Sequence, residues 1–596
     1  MCGIVGYVGK KKAIPYLIQG LKKLEYRGYD SAGIAYLYNN NIEIKKTVGR
    51  ISDLEKIIDY EIPTSIGIGH TRWATHGKVN IINSHPHQVG NITIVHNGIL
   101  ENYQELKNKL IKLGYKFVSE TDTEVLCAYI DYEYNKSTSK NMVEVLTNCF
   151  NEFKGSYAVT IMVSSIKDTI FTMKKDNPLV IGVGKEENYV ASDVSAFISS
   201  TNKFIYLEDM QIGVVTSSSI SIYQDDKLID NDIKTLNIDD ISNGKEEYEH
   251  YMLKEIYEQS NLIEKLNNVY LNSNLEDFDL SKYTNIQIVG CGTAYHAGLI
   301  GKYLMEKYSD FEINVYIASE YRYQKIFVND KTLVIAVSQS GETADTLACI
   351  KRVKKLGCDT LGIVNVKNST IARLVDKVIY TMAGQEIAVA STKAYTSQIY
   401  VFSMLALKMG INKNVINKND VIQCYNDLPE LINNVLNINY DRVVKKIFNN
   451  EYLFYLGRNI DYVSVVEGSL KIKEISYIHS EAYQGGELKH GTISLIEKDT
   501  CVISLVTNEE TSSKIISNIK EVKARGAYVI LIIKDSLNIN IDINCYDQMI
   551  IVPSVNDLIQ PILNIVPLQL IAYYVAKKRG CDIDKPRNLA KSVTVE

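Results

Sequence analysis

The sequence lacks the features that mark several large classes of protein. Its ten cysteines are spread singly, with no CxxC or CxC pair, so the spacing signals of zinc ribbons, thioredoxin-like proteins and iron–sulfur proteins are missing. Lys plus Arg number 65 and Asp plus Glu number 70, which gives a formal net charge of −5. The chain therefore lacks the excess of positive charge that is typical of nucleic-acid-binding proteins. The most apolar late stretch, residues 558–576, is interrupted by polar residues and prolines. A membrane span needs about 20 nearly unbroken apolar residues, so this stretch predicts a core helix.

The length and composition of the chain indicate a large folded protein of several domains. Of its 596 residues, 46% are apolar and 23% are charged, which is ordinary for globular proteins. At about 150 residues per domain, three domains are an ordinary expectation. The first residues show no charged region before a long apolar run, so we expect no secretory signal. Unpaired cysteines indicate a reducing compartment, and we expect a cytoplasmic protein without membrane or nucleic-acid partners.

Two patterns divide the chain. Up to about residue 240, short β-branched runs predict a largely antiparallel sheet system with helices at 13–24 and 103–113, and the acidic stretch 224–249 indicates a linker. From about residue 286, strands and helices alternate, which predicts a parallel sheet covered on both faces. Residues 334–347 and 502–515 align, which indicates an internal duplication. We predict an α/β protein of three domains, residues 1–240, 241–430 and 431–596, the last including the C-terminal tail.

The first candidate for chemistry is a cysteine directly after the initiator methionine. If Met1 is removed, Cys2 carries both a thiol nucleophile and a free α-amino group, whose ordinary pKa is about 8. A nucleophile and a base on one residue suit acyl transfer. The alternative is a buried structural cysteine, and Cys2 alone favours that alternative, since free cysteine is among the most buried residue types.

The motifs that follow Cys2 resemble the N-terminal-nucleophile (Ntn) glutamine amidotransferases, the class II glutaminases, over the whole first domain. In order they are LEYRGYDSAG, GHTRWATHG, NSHPH, HNGILENY and SETDTE. The resemblance implies an αββα Ntn-hydrolase fold, Cys2 as the nucleophile, and Asn97 with Gly98 as the oxyanion hole. It also implies a glutamine pocket that is lined by Arg72, Trp73, His85 and Asp122. It further implies an ammonia channel that is lined by Arg27, Tyr29 and Trp73.

Each of these residues has an ordinary alternative when it is taken singly. Arg72 could form a surface ion pair, the Asn97-Gly98 pair a hairpin turn, and Asp122 a helix cap. Their joint occurrence in one order makes the glutaminase interpretation specific.

A second motif, SQSGETADT at residues 338–346, follows an apolar strand and opens a helix. Backbone N–H groups at a helix N-terminus favour anions, and the hydroxyl and amide side chains add neutral donors, so the segment suits a phosphate monoester bound without a metal. A plain cap and turn is the alternative. The motif and the duplication resemble the SIS (sugar isomerase) family, whose doubly wound α/β domains bind phosphosugars. The resemblance implies contacts from Gly292, Thr293, Ala294, Ser338, Gln339, Ser340, Thr343, Val389 and Ser391. The family commonly has Ser at position 294, so one sugar contact is missing.

A third segment, residues 470–491, places Lys471 and Glu474 three apart, on one helix face. The alternative is a surface ion pair of little worth, whereas a carboxylate beside a cation can move a proton between adjacent sugar carbons. This segment and the C-terminal DIDKPRNLAKSVTVE resemble the amidotransferases that aminate D-fructose 6-phosphate, over essentially the whole chain. The resemblance implies catalytic roles for Lys471, Glu474, His490 and Lys591, and a sugar contact from Ala590. Thr492 replaces the family's usual proline, for which we expect a small effect.

The same resemblance implies L-glutamine and D-fructose 6-phosphate as substrates, no cofactor, and a homodimer in which His490 serves the neighbouring subunit. The short linker resembles the bacterial form. Three alternatives explain the sequence less well. An amidophosphoribosyltransferase would need an acidic pyrophosphate loop, and an asparagine synthetase would need a loop of the SGGxDS type. A phosphosugar-sensing SIS regulator would have no use for Cys2 with a complete glutaminase set.

Overall fold

The structure is a computed structural model that describes residues 2–74, 76–235, 244–271 and 280–594. It forms two compact units, one made of Met1–Asp240 with Ala590–Glu596 and the other of Ile241–Leu589. The end of the chain therefore groups with the first unit, whereas the sequence analysis assigned it to the last domain. Part of the expected linker carries short strands, and residues 236–243 of it lie outside the described residues.

The first unit is built on two antiparallel sheets, with orders β15-β11-β9-β10-β1-β4-β2-β3 and β14-β13-β12-β8-β7-β6-β5. Its strands are β1 (Gly3–Gly9), β2 (Ser31–Tyr38), β3 (Asn41–Val48), β4 (Ile66–Arg72), β5 (His87–Val89), β6 (Ile92–Leu100), β7 (Gly155–Val163), β8 (Ile166–Lys175), β9 (Val180–Val183), β10 (Glu187–Ala191), β11 (Lys203–Tyr206), β12 (Gln211–Thr216), β13 (Ile220–Gln224), β14 (Lys227–Ile229) and β15 (Lys234–Thr235). Its helices are α1 (Ala13–Leu24), α2 (Ile51–Glu55), α3 (Tyr103–Lys112), α4 (Asp122–Lys136) and α5 (Met142–Glu152).

Alternating apolar side chains explain how the two sheets stack. Side chains such as Ile4 and Ile68 of one sheet and Val95 and Ile170 of the other share one core between the sheets. The opposite face of the first sheet packs against α1 and α2, and that of the second packs against α3, α4 and α5. The layers are therefore α, β, β and α, which confirms the predicted fold of the first domain.

The second unit carries two parallel sheets. Its strands are β16 (Asn285–Gly290), β17 (Glu312–Ile317), β18 (Thr332–Ser338), β19 (Asp359–Val364), β20 (Lys377–Tyr380), β21 (Tyr452–Gly457), β22 (His479–Gln484), β23 (Cys501–Val506), β24 (Tyr528–Lys534) and β25 (Gln548–Val552). Its helices are α6 (Tyr251–Tyr257), α7 (Gln259–Leu266), α8 (Thr293–Lys307), α9 (Ala318–Tyr321), α10 (Ala344–Lys355), α11 (Thr370–Leu374), α12 (Lys393–Asn412), α13 (Lys418–Leu436), α14 (Asp441–Ile447), α15 (Ile460–Ser476), α16 (Glu509–Lys523) and α17 (Gln560–Lys578).

The two parallel sheets have the same strand order, β17-β16-β18-β19-β20 and β22-β21-β23-β24-β25. The chain leaves β16 toward one side of the sheet and returns on the other, so a crevice opens at the carboxyl ends of β16 and β18. Such a topological switch point is where doubly wound sheets bind ligands. The equivalent point of the second sheet lies between β21 and β23. The duplicated sequence therefore has a duplicated structure.

The apolar stretch near the C-terminus forms the centre of the second unit. Nearly every side chain of α17 is buried, including Asn564, Pro567 and Gln569, and its apolar residues belong to a core that spans both sheets. The predicted core helix is thus confirmed. In the described ranges, no helix combines the length and apolar character that crossing a membrane requires.

Candidate active sites

Cys2 directly precedes β1. Antiparallel pairing of Gly3 with Thr71 places Cys2 beside the end of β4. The backbone N–H of Trp73 donates to the Cys2 Sγ at 3.2 Å, and the thiol donates to the Trp73 carbonyl oxygen at 3.4 Å. Burial raises the pKa of the Cys2 thiol, so the sulfur is held as a thiol and needs a base before it can attack.

The predicted oxyanion pair comes from the other sheet. Asn97, on β6, donates from Nδ2 to the Cys2 carbonyl oxygen at 3.0 Å and to the Ser192 Oγ at 2.8 Å. The next residue, Gly98, has φ of 127°, and a Cβ there would lie 2.0 Å from the Ser156 carbonyl oxygen, so only glycine fits. The structure therefore brings Cys2, Asn97 and Gly98 together although 95 residues separate the first two.

Arg72 and Asp122 lie in the same buried region. The Arg72 guanidinium, 3% exposed, donates to the carbonyl oxygens of residues 76–78. Asp122 begins α4, and its Oδ2 accepts the N–H of Leu100 at 2.9 Å. Burial lowers the pKa of Arg72, while the neighbouring carboxyl groups of Asp30 and Asp122 raise it. A cation and a carboxylate of fixed position are what an amino acid's carboxylate and ammonium require.

His85 belongs to a group of four buried histidines, His70, His85, His87 and His96. The His85 ring stacks on His70 with centroids 4.1 Å apart, and its Nε2 lies 3.2 Å from the Thr123 hydroxyl. Burial lowers the pKa of all four, to about 3 for His70 and His87. The sequence analysis missed three members. The alternation of Ile66, Ile68 and residue 70 along β4 was the signal that the side chain of residue 70 faces inward.

Two of the predicted channel residues, Arg27 and Tyr29, lie in the segment that follows α1, and the third, Trp73, follows β4 beside Cys2. Arg27 is 4% exposed and its Nη1 lies 3.6 Å from the Asp193 Oδ2, and the Arg50 guanidinium lies 5.9 Å from the centre of the Tyr29 ring. The N–H of Asp30 donates to the Arg72 carbonyl at 2.9 Å. This segment is therefore tied to the strand that ends beside Cys2.

In the second unit, Ser338 ends β18 and lies at the switch point. Its Oγ accepts the N–H of Gly341 at 3.0 Å and lies 3.0 Å from the hydroxyl of Thr343, the N-cap of α10. Gly341 has φ of 66°, and a Cβ there would lie 1.9 Å from the Ser369 Oγ. Gln339 and Ser340, which lie between Ser338 and Gly341 in the turn, are partly exposed. The turn thus gathers hydroxyl and amide donors at a helix N-terminus, which suits a phosphate.

Thr293 and Lys471 meet at the same end of the sheet. Thr293 begins α8 directly after β16, and the Lys471 Nζ donates to its hydroxyl at 3.1 Å. Lys471 is 0% exposed, and its Nζ lies 2.6 Å from the Glu474 Oε2. Burial opposes the charge, but the neighbouring carboxylates raise the pKa of Lys471 above its ordinary value, so it stays a cation.

Glu467 is a site residue that the sequence analysis missed. Its side chain is 1% exposed, and its two carboxylate oxygens accept from Thr293 at 2.9 Å and contact the His296 Nδ1 at 2.7 Å. Burial works against ionisation, but Lys471 and His296 hold the pKa of Glu467 below its ordinary value. The signal was available, because Glu467 and Lys471 are four apart on one helix.

The other predicted sugar-site residues are more dispersed. The segment between β20 and α12 carries Val389, whose N–H donates to the Asp584 carbonyl at 3.0 Å, and the partly exposed Ser391. His490 is exposed and ends a 3-10 turn. Ala590 and Lys591 belong to the first unit, whereas the remaining sugar-site residues belong to the second.

The switch point of the second sheet is filled by the chain's own carboxylate. Asp461, near the start of α15, accepts the N–H of Thr507 at 2.7 Å and that of Asn508 at 3.0 Å, together with the Thr507 hydroxyl. These donors follow β23, as the serine-rich turn follows β18. Val506 and Asn508 stand where the first copy has Ser338 and Ser340, and the second copy uses this turn to hold Asp461 instead.

We expect Asp461→Asn to change how stability depends on pH. Burial raises the pKa of Asp461 to about 6, above the ordinary 3.9, so the folded state takes up a proton before the unfolded state does. The wild-type protein should therefore gain about 2 kcal/mol of unfolding free energy relative to D461N between pH 7 and pH 4.5. Denaturant unfolding of both proteins at both values measures this gain, and a pH-independent difference would contradict it.

Comparison with known proteins shows which families the two parts of the chain match. Residues 81–199 match the glutamine amidotransferase domain family, and residues 279–408 and 446–578 match the SIS domain family. The chain is thus a glutamine amidotransferase joined to two SIS domains. Relatives named glutamine–fructose-6-phosphate aminotransferase [isomerizing] are 45% identical over 614 residues in Caldanaerobacter subterraneus and 43% over 612 residues in Pyrococcus horikoshii, each match covering all of both chains. The chain belongs to the glutamine–fructose-6-phosphate aminotransferase (isomerizing) family.

A solved structure agrees for the second unit. The C-terminal domain of glucosamine-fructose-6-phosphate aminotransferase from Francisella tularensis is 37% identical, with a TM-score of 0.54, and the match covers 57% of this chain and 99% of that one. Because the sequence matches extend over both units, they favour this family over the three alternatives considered from the sequence.

Proposed function

We propose that this chain transfers the amide nitrogen of L-glutamine to D-fructose 6-phosphate and isomerises the product, giving L-glutamate and D-glucosamine 6-phosphate, the first step of amino-sugar biosynthesis. The observation that carries the proposal is the full-length match to relatives of that name, 45% identical over all of both chains. The Cys2 site in one unit and the Ser338 turn with Lys471 in the other supply the two chemistries that such a reaction needs.

The first half-reaction belongs to Cys2. With Met1 removed, the α-amino group takes the thiol proton, and the sulfur attacks the amide carbon of glutamine. Asn97 and the N–H of Gly98 stabilise the negative oxygen that forms. The α-ammonium then returns its proton to the leaving nitrogen, the carbon–nitrogen bond breaks, ammonia leaves, and water hydrolyses the thioester to glutamate. Arg72 and Asp122 bind the α-carboxylate and α-ammonium, while Trp73 and His85 line the pocket.

The second half-reaction belongs to the phosphosugar site. Ser338, Gln339, Ser340 and Thr343 hold the phosphate, while Thr293, Val389, Ser391 and Ala590 contact the sugar. Lys591 binds the open-chain carbonyl as a Schiff base, which ammonia displaces at C2. Glu474 then moves a proton from C1 to C2, and Lys471 steadies the charge on the oxygen at C1. Formation of the Schiff base releases one water, which offsets the water that hydrolyses the thioester, so the overall equation balances.

Three further features belong to the proposal. Ammonia must reach the sugar before bulk water protonates it, and we assign Arg27, Tyr29 and Trp73 to its path.

His490 opens the sugar ring, and its exposure suits a residue that serves the site of the neighbouring subunit in a homodimer. Ten free thiols suit a cytoplasmic setting.

A coupled assay tests the proposed function. The purified protein is mixed with glutamine and fructose 6-phosphate, and glutamate and glucosamine 6-phosphate are quantified together. We expect equal amounts of both products, because nitrogen released at Cys2 is consumed at the sugar. Glutamate without amino sugar would keep the glutaminase but contradict the acceptor or the ammonia path, and other phosphosugars would then be compared.

A further inference from the structure

The orientation of the Asn97 amide is fixed by its neighbours. Its Nδ2 lies 3.0 Å from the Cys2 carbonyl oxygen, which can only accept a hydrogen bond. The Ser192 Oγ, 2.8 Å from the same nitrogen, also accepts the N–H of Ile4 at 2.8 Å. The amide nitrogen therefore faces the backbone of Cys2, and the amide oxygen faces the opposite way.

That oxygen is met by a buried histidine, His70, which is 0% exposed. The His70 Nε2 lies 3.1 Å from the Asn97 Oδ1 and 2.9 Å from the His96 carbonyl oxygen. Both partners are acceptors, so Nε2 must carry the ring proton and donate it to them. The same contacts thus fix both the amide orientation and the histidine tautomer.

The His70 ring is itself held in place. It stacks on His85 with an angle of 17° between the planes, and its Nδ1 has no hydrogen-bond partner within the described part of the chain. Burial lowers the pKa of His70 to about 3, so the ring is neutral across the neutral pH range. His70 is a fixed, uncharged donor.

We propose that His70 is a positioning residue for glutamine hydrolysis: its Nε2–H holds the Asn97 Oδ1 so that the Nδ2 hydrogens stay beside Cys2, where charge develops on the substrate oxygen. The inference rests on the proposed function. A donor on the amide oxygen also polarises the amide, which strengthens its N–H groups as donors. His70 touches no reacting atom and transfers no proton; it acts through Asn97.

Two amide variants separate the hydrogen bond from the ring. Glutamine places its Nε2 near the histidine Nε2 and can donate to the Asn97 Oδ1, whereas asparagine reaches only the region of Nδ1. Since one oxyanion donor is worth about 10²–10³ in kcat, we expect His70→Asn to lower kcat for glutamine hydrolysis by about 10²-fold, with the KM for glutamine nearly unchanged. His70→Gln should recover most of the lost rate.

Three controls distinguish positioning from a general structural effect. Alkylation of Cys2 by iodoacetamide forms no oxyanion, so its rate, followed by mass spectrometry, should be the same in the wild-type protein and in H70N. The ratio of the two kcat values should not change with pH from 6 to 9, because His70 does not titrate there. His250, a partly buried histidine of the other unit whose Nδ1 lies 3.0 Å from the Tyr573 hydroxyl, is the control, and His250→Asn should keep kcat.

Several results would overturn the inference. They are an unchanged kcat in H70N, a loss in H70Q as large as that in H70N, a parallel loss of alkylation, a pH-dependent ratio, or an equal loss in H250N. Any of these alongside an active wild-type protein leaves the proposed function intact. A wild-type protein that does not hydrolyse glutamine would instead overturn the proposed function, and the inference with it.

Discussion

Cys2→Ser is expected to abolish both glutamate and glucosamine 6-phosphate formation, with a loss of about 10⁴-fold or more in the rate of glutamine hydrolysis. The smaller serine hydroxyl fits where the Cys2 thiol contacts the Trp73 backbone, but it ionises far less readily than a thiol. Glutamate release and amino-sugar formation measure the loss. Binding of fructose 6-phosphate, followed by the shift in thermal midpoint, should persist because its residues lie elsewhere in the chain.

Cys424→Ser is the matched control for that variant. Cys424 is a partly buried thiol on α13 at the margin of the core, and nothing in the proposed chemistry uses it. C424S should keep both products at close to the wild-type rate. Glutamate formation that survives in C2S would contradict the assignment of the nucleophile.

Local patterns in the sequence were sufficient for much of the fold. The β-branched runs of the first 240 residues became strands such as β1, the periodicity of 13–24 became α1 with both ends correct, and the strand–turn–helix at Ser338 became β18 and α10. Each of these follows from side-chain period and end signals within a short window. The repeated order of strands and helices was likewise sufficient to predict two similar parallel sheets.

Contacts between distant residues could not be predicted in the same way. Nothing local in the sequence indicates that Asn97 donates to the Cys2 carbonyl, or that His70 faces the Asn97 Oδ1, because these contacts arise only when two sheets stack. The carboxylate of Asp461 is a similar case, since its donors lie 46 and 47 residues further along the chain. Motif resemblance named the reacting groups but not the buried residues that hold them.

Glu474→Gln is expected to remove amino-sugar formation while glutamine hydrolysis continues. A carboxylate that moves a proton contributes about 10²–10⁴-fold, and the amide cannot replace it. Lys471 keeps its second partner, the Glu467 Oε1 at 3.3 Å, so the buried charge stays compensated and the fold should survive. The direct measurement is exchange of the C1 hydrogen of fructose 6-phosphate in D₂O by NMR, which should fall with the synthesis rate.

The matched control for E474Q lies on the same helix. Lys473 is exposed, and Lys473→Gln should leave both exchange and synthesis near the wild-type rate. Normal hydrogen exchange in E474Q would contradict Glu474 as the base. Loss of glutamine hydrolysis in E474Q would contradict the separation of the two chemistries between two units, since Cys2 and Glu474 belong to different ones. The two variants, C2S and E474Q, therefore test the same division of labour from opposite ends of the reaction.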